Sequence, residues 1–127
     1  MTTLDDPHRL DLEFGSSGQL ILEISPSVSF YFNLVSFNGS NMMMWVSFKG
    51  SKKDDQKYKF TIEVLDKQGR ASLSCTRLCV PCDISREEVK EKFLGVVINK
   101  DMTHEISTGR FTNVPMIVAL VQFFLNL

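Results

Sequence analysis

The last third of the chain constrains its fold more than any other part, because one helix signal is lodged there among strand signals. Ala71 to Val80 reads as a strand, and Cys82 to Phe93 reads as a capped helix. Within it, Ser85-Arg86-Glu87-Glu88 is a capping box: the Ser85 hydroxyl accepts from the backbone N–H of Glu88, whose carboxylate reaches back. Ile84 and Val89 bracket the cap as a hydrophobic staple, and Phe93 falls one turn after Val89 on the same face. Apolar text resumes at Val96, breaks at Asn99-Lys100-Asp101 and ends in the run Pro115 to Leu127. Strand, short helix, strand, loop and final strand, following several hairpins, is an unusual order for a plain β-sandwich.

The hairpins come first in the chain. Leu10, Leu12 and Phe14 alternate with Asp11 and Glu13, the period-two signature of a half-buried strand with a wet acidic face. After the loop Gly15-Ser16-Ser17-Gly18, Gln19 to Ile24 places Leu20, Leu22 and Ile24 on one face, Ile21 and Glu23 on the other, and stops at Ser25-Pro26. Phe30, Phe32 and Leu34 against Tyr31, Asn33 and Val35 make a third strand. Asn38-Gly39 then supplies the positive φ angles of a tight hairpin. The fourth strand carries Met42, Met44, Val46 and Phe48 on one side and Met43, Trp45 and Ser47 on the other, so it is expected to be buried at the centre of its sheet. The mixed-charge run Gly50 to Lys57 is a solvated loop. Tyr58, Phe60, Ile62 and Val64 then form a strand that turns at Lys67-Gln68-Gly69-Arg70 into Ala71 to Val80.

With 127 residues, 43% of them hydrophobic, the chain suits a single domain, residues 1–127, in which residues 1–8 form a flexible tail. A net charge of −1 gives no sequence-wide pull toward nucleic acid or anionic lipid, so neither is expected as a partner. The C-terminal apolar run is interrupted by Gln122 and Asn126 and falls short of the roughly 20 residues that span a bilayer as helix. Asp5, Asp6 and His8 stand where a secretory signal would need basic and then apolar residues. Three cysteines and six methionines fit a reducing compartment, the cytoplasm or nucleus.

Catalytic and metal chemistry find little support. Cys75, Cys79, Cys82 and His104 are the one conceivable zinc set, but Cys75 and Cys79 lie about 13 Å apart on an extended strand and no paired C-x-x-C knuckles occur. A helix start lowers a thiol pKa, which makes Cys82 a conceivable nucleophile, yet neither His8 nor His104 sits in a motif that serves it. No phosphate-cradling glycine loop or carboxylate pair is present. The expectation is a binding module with no catalytic residues, metal or cofactor. The cluster Met42-Met43-Met44 beside Trp45 reads as a buried central strand whose outer side, Met43 and Trp45, meets another layer or a partner subunit.

The order of motifs resembles the C-terminal substrate-binding domain of the seven in absentia family of ubiquitin ligases. The resemblance rests on Ser29-Phe30-Tyr31-Phe32-Asn33-Leu34-Val35, Tyr58-Lys59-Phe60-Thr61-Ile62-Glu63-Val64 and Val97-Ile98-Asn99-Lys100-Asp101-Met102, and the element order matches from Leu10 to Phe124. It implies an all-β, TRAF-like antiparallel sandwich of about eight strands with one short helix. It also implies an extended peptide ligand added as a strand beside Arg9 to Phe14 and Gln19 to Ile24, with Leu10, Leu12, Ile21 and Glu23 as contacts. Ile21 and Glu23 stand where the family has a peptide-contacting tryptophan and methionine. The family's RING and zinc fingers are lacking here, which implies an excised domain or a RING-less adaptor. Homodimerisation is implied as well, with Met43 and Trp45 as the expected surface. The rival expectation is a scaffold that assembles through that Met/Trp surface.

Overall fold

The computed structural model of the chain describes residues 2–13, 17–25, 28–37, 41–50, 52–54, 56–99 and 116–126. Two mostly antiparallel sheets face each other as a β-sandwich. Among the described residues, eight strands have three or more residues: β2 (His8–Glu13), β3 (Gly18–Ser25), β4 (Val28–Phe37), β5 (Asn41–Phe48), β6 (Tyr58–Leu65), β7 (Ala71–Leu78), β9 (Val96–Ile98) and β10 (Met116–Leu125). β1 (Thr2–Thr3) and β8 (Val80–Pro81) are two-residue pieces, and the helix α1 spans Arg86–Glu91.

The first sheet runs β1/β2, β10, β6, β7, with β1 and β2 end to end along one side of β10. The second runs β3, β4, β5, with β8 and β9 both along the far side of β5. Register follows the alternation read from sequence. Phe30, Phe32, Leu34, Met44, Val46, Phe60, Ile62, Val64, Val121 and Phe123 all enter one core between the sheets. Its centre is aromatic: Phe30 stacks on Phe123 with ring centroids 4.2 Å apart, while Phe30 and Phe48 each meet Tyr58 edge-on at 5.2 and 5.1 Å. Offset and edge contacts of this kind add to area burial.

β5 is central, as its two apolar faces require. Met42, Met44, Val46 and Phe48 point into the sandwich, and Met43 and Trp45 point outward beneath α1. The hairpin pairing of β4 with β5 is antiparallel from Phe37↔Asn41 to Phe30↔Phe48; its turn, Asn38 to Ser40, lies outside the described residues, as does the Gly15-Ser16 loop. The turn into β7 is described: Asp66 Oδ1 accepts from the backbone N–H of Gln68 and Arg70, both at 2.9 Å, and Gly69 takes φ +82°.

Three expectations are corrected. Ala71 to Val80 is not one strand. After β7 the chain leaves the first sheet at buried Cys79, whose N–H still donates to Tyr58 O at 2.9 Å, and Val80-Pro81 pairs parallel with Ser47-Phe48 of the second sheet. Alternation alone does not reveal a change of sheet. Residues 2–8 are not a free tail: they run along β10, Leu4 N–H donates to Phe123 O at 2.9 Å, and Gln122 Nε2 donates to Asp5 O at 3.1 Å.

The third correction concerns α1, which is shorter than Cys82 to Phe93. Ser85 caps it as expected, accepting from Glu88 N–H at 3.1 Å, and Ile84 joins Val89 in the outer cluster. Its end is a Schellman motif in which Leu94 N–H reaches Val89 O at 3.0 Å and Phe93 N–H reaches Lys90 O at 3.4 Å. Phe93 holds the left-handed position at φ +53°, normally a glycine's, so it does not continue the Val89 face and is 64% exposed.

Gly95 then lets the chain draw close alongside β5 and enter β9. A Cβ there would lie 2.6 Å from Met44 O and 2.8 Å from Met43 Cγ, whereas at Gly18 nothing lies within 4 Å. Gly95→Ala is therefore expected to lose about 1–3 kcal/mol in urea denaturation, the usual cost of overpacking. Gly18→Ala should leave the midpoint unchanged or slightly raised.

Candidate functional site

Strand β3 closes one side of the second sheet and pairs only with β4 among the described residues. Its inward residues Leu22 and Ile24 pack on the core, but Leu20, one pair nearer the strand's start, is 45% exposed, and outward-facing Ile21 is 62% exposed. Two consecutive apolar side chains on opposite faces are thus both open to solvent. Beside Leu20 a recess of about 230 Å³ opens between β2 and β3, floored by Leu12, Phe32 and Leu34 and edged by Asp11 and Glu13. On the outer side Ile21 sits across from Tyr31.

A polar row anchors this edge. Gln19 Nε2 donates to Asn33 Oδ1 at 2.8 Å, and Asn33 Nδ2 donates to Tyr31 O at 3.0 Å and Ser47 Oγ at 3.1 Å. Asn33 is only 8% exposed, and a buried amide satisfied at both ends locks β3, β4 and β5 into one register. The row also divides the outer face: Met43 and Trp45 on one side are covered, while on the other Ile21 and Glu23 are exposed and Tyr31 is half-buried.

The expected contact residues separate into two groups. Ile21 and Glu23 share the open outer face of β3. Leu10 and Leu12 do not join them: they are 8% and 6% exposed and belong to the core. The physical reason is that β2 and β3, consecutive in sequence, lie in opposing sheets, so the apolar side of β2 faces inward. Only Leu12 touches the recess, as its floor. The expected oligomer surface is corrected too, since Met43 and Trp45 are buried by Val89, Ile84 and Leu94 of the chain's own helical segment.

No group of three potential metal-ligating residues occurs among the described residues, and His104 lies outside them. Burial pushes the Cys79 thiol far up. Cys82 precedes the cap residue, and its thiol is also raised: desolvation and nearby Asp83 outweigh the hydrogen bond from Ser47. A helix start that lowers this thiol pKa is therefore not what the fold builds.

Sequence reasoning missed Leu20 and Asn33 as site residues. Alternation assigned Leu20 to the core face, but the assembled sheets leave it 45% exposed beside the recess. Asn33 did leave a signal, a lone amide in a mostly apolar strand. No protein-family model matches the chain, and comparison with the curated proteins finds no match.

Two measurements check this geometry. Trp45→Ala should cost about 3–5 kcal/mol of stability, as for other large buried aromatics. The thiols of Cys79 and Cys82 both titrate above the ordinary value and stay protonated at neutral pH. Alkylation of the native protein should accordingly be slower at Cys82 than at a free cysteine, rise with pH, and be absent at Cys79 until the chain unfolds.

Proposed function

We propose that this chain is a protein-interaction module that takes an extended segment of a partner protein as an added strand along the open edge of β3. The observation that carries the reading is the joint exposure of Leu20 and Ile21 on a strand with no outer neighbour among the described residues. An unpaired edge offers main-chain donors and acceptors, and side chains on its two faces offer alternate pockets. The added segment places one set of side chains over the Leu12–Phe32–Leu34 recess and the other beside Ile21, Tyr31 and Glu23.

The element order supports a TRAF-like identity and a role in substrate recognition, or as an adaptor, in a seven in absentia-type ubiquitin ligase of the cytoplasm or nucleus. Glu23, in the position of a family methionine, favours a ligand with a basic or hydrogen-bonding residue there. No catalytic step is assigned to the chain. The rival scaffold reading relied on Met43 and Trp45, which α1 covers.

Affinity purification from cell extract with the wild-type chain and an Ile21→Arg/Glu23→Lys double variant, read by quantitative mass spectrometry, tests this. Both residues are exposed, so the variant should keep its stability within about 0.5 kcal/mol. Partners retained on wild type and lost on the variant are the expected result. An unchanged partner set would reject the β3 edge.

A further inference from the structure

The described residues expose four large hydrophobic side chains: two are Leu20 and Ile21, and the other two, Leu78 and Phe93, lie at the opposite side of the sandwich. Leu78 and Phe93 line a cleft of about 950 Å³ between the end of β7 and α1, with the crossover from Leu78 to Pro81 along it. We infer that this cleft is a second interaction surface, distinct from the β3 edge, that takes an extended acidic–apolar segment of a partner protein.

Three features specify that occupant. β7 is the last strand of its sheet, with no outer neighbour among the described residues, so its free backbone suits an extended chain. The cleft concentrates positive charge in a chain whose net charge is −1: Lys59, Arg77 and Lys92 line it against the single carboxylate Glu88. Lys92 pairs with Glu88 at 3.4 Å. Lys59 and Arg77 have no ion pair among the described residues, and the Arg77 guanidinium donates only to Thr76 O at 3.2 Å. Lys59 and Leu78 are direct cross-strand partners, which sets a cation beside an apolar side chain and asks for a carboxylate beside an apolar side chain in the ligand.

Phe93 adds the third feature. Its left-handed backbone is strained for any side chain, and burial does not offset that strain, because the residue is 64% exposed, its ring meeting Phe37 edge-on at 5.6 Å. Strain retained at an exposed aromatic is what an anchor for a partner looks like.

The test uses the full chain and a library of end-blocked peptides about eight residues long, the length of a strand. Wild type should enrich peptides that combine Asp or Glu with Leu, Ile or Phe, with binding that weakens as salt rises. Lys59→Glu/Arg77→Glu should weaken those peptides at least about tenfold, and Phe93→Gly by about tenfold, the scale of one interface anchor. Phe93→Gly should at the same time raise the denaturation midpoint, since glycine takes that φ freely. Ile21→Arg/Glu23→Lys should leave these peptides bound, which upholds the cleft whatever becomes of the β3 edge. The cleft is overturned if enriched peptides show no acidic preference, if Phe93→Gly stabilises the fold with binding intact, if the Ile21/Glu23 variant alone abolishes binding, or if no peptide is enriched.

Discussion

Strand β5 is apolar on both faces, and a strand of that kind obliges the chain to cover it twice. One face is met by the opposing sheet, through Met42, Met44, Val46 and Phe48 packed against the residues of β6 and β10. The other face carries Met43 and Trp45, too large to leave in water; fully burying side chains of this size is worth about 1.5–3 kcal/mol each. The covering layer for that second face is α1, through Val89 with Ile84 and Leu94.

Much of the chain's path follows from that requirement. β7 ends in the first sheet, yet the helix has to sit outside the second, so the chain crosses at Cys79 and borrows one rung on β5 through Val80-Pro81. After a turn and a half of helix it has to reverse quickly to reach β9, also on β5. Ser85 starts that short helix and a Schellman motif ends it, with Leu94 and Val89 closing the motif's hydrophobic contact. Gly95 admits the close approach to Met43 and Met44 that follows. Phe93 in the left-handed position costs about 1–2 kcal/mol by backbone strain, a loss the local geometry does not itself require, because glycine would serve.

A sandwich satisfies its backbone within each sheet but leaves the outermost strands half paired. Here the two sides differ in character. The β3 side offers adjacent Leu20 and Ile21 over a small apolar recess with carboxylates at its rim. The β7 side offers Leu78 and Phe93 in a larger cleft with cations on its walls. The charges are opposite, so a segment suited to one edge is disfavoured at the other.

Alternation in the sequence determined most of the strands, because a period-two pattern leaves one way to face a core. It marked β2, β4, β5 and β6, the β6–β7 turn at Gly69, and the Ser85 cap, whose chemistry is local to four residues. It also put Ile21 and Glu23 on one face of β3, which is open, although only the family resemblance marked them as contacts. What it did not hold was the identity of neighbours. Leu10 and Leu20 carry the same pattern on strands that both lie at a sheet's edge, yet Leu10 is buried in the core and Leu20 is 45% exposed. Trp45 and Ile21 are both outward residues of the second sheet, and α1 covers only one. The break at Cys79 and the exposure of Phe93 are likewise products of where the chain must go next. Local sequence sets which side of an element is apolar; only the assembled sheets decide which apolar sides remain for a partner.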